Sequence, residues 1–237
     1  MLKVDRVSAG YGKLQIIEDI SLEAQQDRIT VIVGPNGSGK STLLKTIAGL
    51  TSLYQGQITV DGRTISGLSS HEIARLGVAY LPQTESTFTH LTVAENFKMA
   101  GYTVTSEDFE DRLQKALAIF PQLASYLDTK VARLSGGERQ MVAMTMALVR
   151  KPSVIMYDEP TANLAPIIAT QVLNTISYLS QGQGITSLLV EQNASRALQI
   201  GHYAYLLASG RVIFQGTTKD LLEHKELGKL YLGLSVG

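Results

Sequence analysis

The chain has no cysteine among its 237 residues, so neither a disulfide framework nor a thiolate metal site can be built from it. Net charge is missing too, since Lys+Arg and Asp+Glu both number 21. Without a basic excess there is no electrostatic footprint for nucleic acid, and no nucleic-acid partner is expected. Histidines are few, and His71, His90, His202 and His224 show no ligand spacing. No apolar run approaches the roughly 18 residues of a membrane span. Residues Met1 to Arg6 carry no apolar leader. Repeats and low-complexity linkers are absent. These absences lead us to expect a soluble, intracellular protein. The 44% of residues that are hydrophobic suffice for a sizeable core in one large domain or two lobes.

Against that background one string stands out. Gly34 to Ser41 reads Gly-Pro-Asn-Gly-Ser-Gly-Lys-Ser, which satisfies the phosphate-cradling pattern and implies a bound nucleoside triphosphate. Ile29 to Val33 before it is an apolar, β-branched run that reads as a buried strand. Leu43, Leu44 and Ile47 after it recur at helical spacing. The loop therefore opens a helix, where backbone N–H groups and the helix dipole hold an anion. Gly34, Gly37 and Gly39 let the backbone approach phosphates without a Cβ in the way. Lys40 supplies a point charge for the β- and γ-phosphates, and the Ser41 hydroxyl can ligate Mg²⁺. The ATP-binding set is then Gly34, Pro35, Asn36, Gly37, Ser38, Gly39, Lys40, Ser41 and Thr42.

The rest of the pattern is α/β. Ile16, Ile17, Ile20 and Leu22 belong to an alternating stretch that reads as antiparallel strands. Gly56 to Val60 followed by Asp61-Gly62 reads as a strand entering a hairpin. From about Thr87 to Arg150 the pattern is helical. Leu113, Ala116, Leu117 and Phe120 share one helical face that Pro121 ends, and a further helix starts at Gly136. Strands return at Val154–Tyr157 and Ser187–Val190, separated by a helix from Ile167 to Leu179 that a turn at Gly182 and Gly184 closes. Ala204 to Phe214 reads as a hairpin about Ser209-Gly210. Alternation of strands and helices implies a mostly parallel sheet. Met141, Met144 and Met146 are assigned to core; Phe88 and Phe97 are candidates for a docking surface, with buried core the favoured role for each.

The strand Val154 to Tyr157 ends in Asp158 and Glu159. A parallel strand delivers such residues to the same sheet edge as the phosphate loop. Asp158 is then placed to hold Mg²⁺ and Glu159 to polarise a water for in-line attack on the γ-phosphate. Alone, the pair would serve equally as a solvated acidic turn before Pro160; the phosphate loop tips the reading toward catalysis.

Leu134 to Gln140 reads Leu-Ser-Gly-Gly-Glu-Arg-Gln. Ser135 and Glu138 have the spacing of a capping box at a helix start. The same string resembles the signature of the ATP-binding-cassette (ABC) superfamily, and other motifs match in order across Val4 to about Leu232. The resemblance implies a P-loop NTPase core with a mostly parallel sheet, an antiparallel β subdomain and a helical insert. Residues 1–86 and 151–222 would form the nucleotide-binding core, 87–150 the helical signature subdomain, and 223–237 a C-terminal helix or tail. It implies further that Tyr11 stacks on adenine and that Gln83, in Leu-Pro-Gln, touches Mg²⁺ and the attacking water. Ser135, Gly136, Gly137 and Glu138 would face the γ-phosphate held by a second cassette.

Two departures narrow the resemblance. Many cassettes carry a histidine where this chain has Gln192, in Val190-Glu191-Gln192-Asn193. An amide there can hydrogen-bond the γ-phosphate but cannot titrate near neutral pH. After Glu159, Ala165-Pro166 stands where an aspartate is usual, which puts the cross-dimer aspartate contact in doubt. Both departures, with Phe120-Pro121-Gln122-Leu123 and Leu230-Tyr231-Leu232-Gly233, are similar to the ATPase subunits of branched-chain (hydrophobic) amino acid importers. The implied partners are transmembrane permease subunits, a second ATPase subunit and, indirectly, a periplasmic solute-binding protein. The implied place is the inner face of the plasma membrane. Lipopolysaccharide-export and urea or amide systems are the rival branches. A mechanical DNA-processing ATPase is the rival of another class; it would need a long coiled-coil insert or zinc site.

Overall fold

A computed structural model describes residues 1–84, 86–102 and 104–231. Residues 232–237, including Leu232 and Gly233 of the closing segment, lie outside the described residues. The strands are β1 (Leu2–Tyr11), β2 (Leu14–Ala24), β3 (Ile29–Val33), β4 (Ser52–Val60), β5 (Arg63–Thr64), β6 (Val78–Leu81), β7 (Val154–Asp158), β8 (Thr186–Val190), β9 (Tyr203–Ala208) and β10 (Arg211–Thr217). The helices are α1 (Lys40–Ile47), α2 (Ser70–Arg75), α3 (Val93–Ala100), α4 (Ser106–Ile119), α5 (Gly136–Val149), α6 (Pro166–Gln183), α7 (Ala194–Ile200), α8 (Thr218–Glu223) and α9 (Lys225–Tyr231).

Two sheets result. One has the order β10-β9-β3-β8-β7-β6, the other β2-β1-β4-β5. In the larger sheet β9, β3, β8, β7 and β6 run parallel, and only β10 is antiparallel. β3, β7 and β8 are buried at every position, as the unbroken apolar runs required. Their side chains alternate between two cores. Ile29, Val31, Val33, Ile155, Tyr157 and Leu189 join the core under α3, α5, α6 and α7. Ile32, Val154, Met156, Leu188 and Val190 join the opposite core, with α1 and the antiparallel sheet.

Several expectations differ in detail. α6 runs a turn past Leu179, through Gly182, and stops where Gly184 takes a left-handed φ of 70°. Its buried stripe from Ala169 to Leu179 and Ser180 keeps it on the core. Phe97 is fully buried, whereas Phe88 is 49% exposed, so core is the wrong role for Phe88. The reason is local: the buried Asn96 side chain grips the Phe88 main chain, accepting its N–H at 2.8 Å and donating to its C=O at 3.0 Å. That fixes the backbone at the surface and leaves the ring outside. Met141 and Met144 are buried and Met146 packs against the same core. Among the described residues no helix is long and apolar enough to cross a membrane.

Candidate active site

Parallel strands leave their C-terminal ends on one edge, and the loops there carry the chemistry. β3 ends at Val33 and runs into the phosphate loop; β6 ends two residues before Gln83; β7 ends in Asp158; β8 ends two residues before Gln192. Within the loop Pro35, Asn36 and Gly37 are exposed, while Ser38, Gly39, Lys40 and Thr42 are buried. Gly34 has φ 147°, and a Cβ there would lie 2.1 Å from the Leu207 carbonyl oxygen and 2.9 Å from Ser38 Oγ. No other residue fits. The Gly210 amide donates to the Ser38 carbonyl at 3.1 Å, so the β9–β10 turn braces the loop. Among the described residues, the buried Ser38 hydroxyl meets no hydrogen-bond partner.

Lys40 is only 5% exposed. Its Nζ donates to the Gly34 and Pro35 carbonyls at 2.9 and 3.0 Å, folding the side chain back over the loop. Burial pushes its ammonium below the usual lysine range, and the nearby Glu159 and Asp158 charges work against that shift. The Ser41 hydroxyl donates to Asp158 Oδ1 at 2.9 Å, and the Tyr80 hydroxyl donates to Asp158 Oδ2 at 2.9 Å. Burial, followed by the Asp158 charge and hydrogen bond, pushes the Tyr80 hydroxyl far up, so it stays a donor. Gln83 Nε2 donates to Glu159 Oε2 at 2.8 Å. Ser41, Asp158, Gln83 and Glu159 are thus brought together from three elements.

Magnesium fits this donor set. A hydroxyl, a carboxylate and an amide oxygen are hard ligands, and Mg²⁺ takes few protein ligands while keeping waters and substrate phosphates. No cluster of three or more His, Cys, Asp or Glu exists among the described residues to suit a softer or fully caged ion.

Tyr11 ends β1 and is 44% exposed. The Tyr54 hydroxyl donates to the Gly12 carbonyl at 2.9 Å and the Leu14 carbonyl at 3.3 Å, fastening the turn that presents Tyr11. Gln192 is exposed, and Asn193 beside it caps α7 by accepting from the Arg196 amide at 3.3 Å. Ser135 caps α5, and the box is complete: Glu138 N–H reaches Ser135 Oγ at 3.3 Å, and Ser135 N–H reaches Glu138 Oε2 at 2.7 Å. These bonds hold the Glu138 carboxyl below the usual glutamate range. Among the described residues, the side-chain hydrogen bonds of Ser135 and Glu138 connect them to each other, not to the phosphate loop. Two functional candidates escaped the sequence reading. Tyr80 stands just before the Leu-Pro-Gln string and Glu191 just before Gln192; neither carries a spacing signal toward the partner it meets.

A family model described as "ABC transporter" matches residues 17–162. The chain is 50% identical, over 99% of both chains, to a probable branched-chain amino acid transport ATP-binding protein, LivF, of Archaeoglobus fulgidus. It is 39% identical to the high-affinity branched-chain amino acid transport ATP-binding protein BraG of Pseudomonas aeruginosa, covering 98% of this chain and 100% of that one. Among solved structures, an ATP-binding cassette of an ABC transporter in its ADP conformation superposes with a TM-score of 0.86 at 25% identity, covering 97% of each chain.

Proposed function

Because this chain belongs to the ABC transporter family of ATP-hydrolysing cassettes, we propose that it is the ATPase subunit of an importer of branched-chain amino acids. Catalysis rests on one observation: Lys40, Ser41, Asp158, Gln83 and Glu159 converge at a single sheet edge. The choice of solute rests on the near-full-length likeness to two branched-chain amino acid transport subunits.

In this reading Tyr11 stacks on adenine, and the loop amides from Gly34 to Thr42 surround the phosphates. Lys40 swings from the Gly34 and Pro35 carbonyls to the β- and γ-phosphates. Ser41, Asp158 and Gln83 would hold Mg²⁺, which when bound neutralises charge on the phosphate oxygens. Glu159 accepts a proton from the attacking water, and Gln83 orients the Glu159 carboxylate until it does. Gln192 donates an amide hydrogen bond to a γ-phosphate oxygen. A second cassette closes over the nucleotide and offers its own Ser135, Gly136, Gly137 and Glu138, a capped helix start suited to an anion. The triphosphate is then contacted from both sides, hydrolysis removes the bridge, and the pair reopens.

The permease subunits would read that cycle at a groove of about 440 Å³ whose lining includes Tyr80, Pro82, Phe88, Met99, Ala143 and Met146. The exposed Phe88 ring and the closeness of Gln83 to this groove favour it. A periplasmic binding protein would deliver the solute to those permeases, placing this subunit on the inner face of the plasma membrane. Glu159→Gln tests the reading: it should retain ATP, accumulate the closed dimer and lose turnover. Unchanged hydrolysis would remove Glu159 as the base. Uptake of radiolabelled leucine by the assembled transporter tests the solute, and failure to drive any uptake alongside its permeases would overturn the importer assignment.

A further inference from the structure

Two carboxylates are buried among the described residues, Asp158 and Glu191. The chemistry above uses the first and leaves the second without a task. A carboxylate removed from water is costly unless hydrogen bonds replace the lost hydration. Glu191 is 3% exposed, and Glu191 Oε1 accepts the Thr161 N–H at 3.0 Å. Burial pushes its carboxyl above the usual glutamate range, and the Thr161 hydrogen bond works against that shift. The Thr161 amide is thus the hydrogen-bond donor that this buried side chain meets at the end of β8.

The segment this hydrogen bond fastens is strained. Glu159 has φ +50°, a left-handed conformation that a non-glycine residue keeps only when its surroundings enforce it. Pro160 has no N–H, so Glu159 and Thr161 offer the only amides there. The Glu159 amide donates to the Val190 carbonyl at 2.9 Å, and the Thr161 amide goes to the Glu191 side chain. Consecutive residues of β8 and its exit thus grip the loop on both sides of Pro160, one by main chain and one by side chain. The Ala162 amide closes the turn onto the Glu159 carbonyl at 3.1 Å.

We propose that Glu191 is a positioning residue for hydrolysis: by accepting the Thr161 amide it holds Glu159 in its left-handed backbone conformation and so aims the Glu159 carboxylate toward Gln83 and the attacking water. The proposal rests on the reading of Glu159 as the base.

The test compares two variants of equal side-chain length in the full chain. Glu191→Met keeps an unbranched chain that tolerates burial but offers no oxygen acceptor; Glu191→Gln keeps one. The methionine variant should lower kcat about ten- to a hundredfold while KM for ATP moves less than about threefold, since misplacing a reacting group costs rate rather than binding. Its segment 159–163 should exchange amide hydrogens for deuterium faster than in the parent chain. The glutamine variant should return kcat to within about threefold of the parent. A methionine variant with parental kcat, or a glutamine variant as slow as methionine, would overturn the proposal. Unchanged exchange in 159–163 would also overturn it. Glu159→Gln is measured alongside. Parental hydrolysis in Glu159→Gln means that the base assignment has failed, and with it the ground for the clamp. Blocked hydrolysis there with parental kcat in Glu191→Met means that the clamp alone has failed.

Discussion

Gly137 sits in the first turn of α5, and a Cβ built there would lie 2.4 Å from Ile168 Cγ2 near the start of α6. Carbon atoms pack at about 3.5–4.0 Å, so in Gly137→Ala either the α5 start or Ile168 must move by about 1 Å. The clashing methyl sits on the β-branch of an isoleucine, which a helix restricts to one favoured χ1; rotation does not relieve it cheaply. Overpacking of this kind costs about 1–3 kcal/mol, and alanine in place of glycine in a helix returns at most about 1 kcal/mol. The net loss is about 1–2 kcal/mol, which for a chain of this size lowers Tm by about 3–6 °C. Ile168→Ala removes the clashing group, so Gly137→Ala/Ile168→Ala should be more stable than the sum of the single changes by about 1 kcal/mol. Denaturant unfolding of the four proteins measures that coupling, with ATP hydrolysis followed in parallel. Because the new methyl points into α6, the double variant should recover hydrolysis together with the α5 start. Additive losses within about 0.3–0.5 kcal/mol would refute the packing argument.

Lys40→Ala removes the charge now bonded to the Gly34 and Pro35 carbonyls; nucleotide affinity should fall at least about thirtyfold, and unaltered binding of a fluorescent ATP analogue would refute its role. Tyr54→Phe releases the Gly12 and Leu14 carbonyls. KM for ATP should rise about three- to tenfold with kcat held, and a fall in kcat at constant KM would contradict the Tyr11-presenting role. Tyr80→Phe takes one donor from Asp158; nucleotide binding should then need about tenfold more Mg²⁺ for half saturation, and an unchanged metal dependence would discard the link. Finally, Glu95 is held below its ordinary value first by the Thr92 backbone N–H and then by the Thr92 hydroxyl. A lowered carboxyl stabilises the fold above its unfolded pKa and loses that contribution as pH falls through its folded pKa. The Tm difference between the parent and Glu95→Gln should therefore shrink as pH drops below about 4.3, and a constant difference would show that the cap's charge contributes nothing.

Short-range physics was legible in the residues. The phosphate loop, the buried strands around it, the Ser135–Glu138 box and the hairpin at Asp61-Gly62 each depend on neighbours within a few positions, so spacing alone located them. The acids at the end of β7 were legible for the same reason: an apolar run ending in Asp158 and Glu159 must deliver them to a sheet edge if the sheet is parallel. The helix α2 and the strand β6, which the pattern did not reveal, are six and four residues long, too short for a periodicity to register. The exposure of Phe88 was illegible because it depends on Asn96 holding its main chain rather than on the character of the ring.

Long-range pairing was decided by the tertiary structure. Tyr80 meets Asp158 from 78 positions away, Gln83 meets Glu159 from 76, and Thr161 meets Glu191 across 30. No local rule encodes those distances along the chain. They follow from strand order: β7 lies between β6 and β8, so the residues leaving those three strands become neighbours, and the left-handed turn at Glu159 is held only because β8 ends beside it. The amino-acid order by itself determined which groups are available for phosphate chemistry; the order of strands in the sheet determined which of them touch, because hydrogen bonds form between whatever the packed core brings within reach.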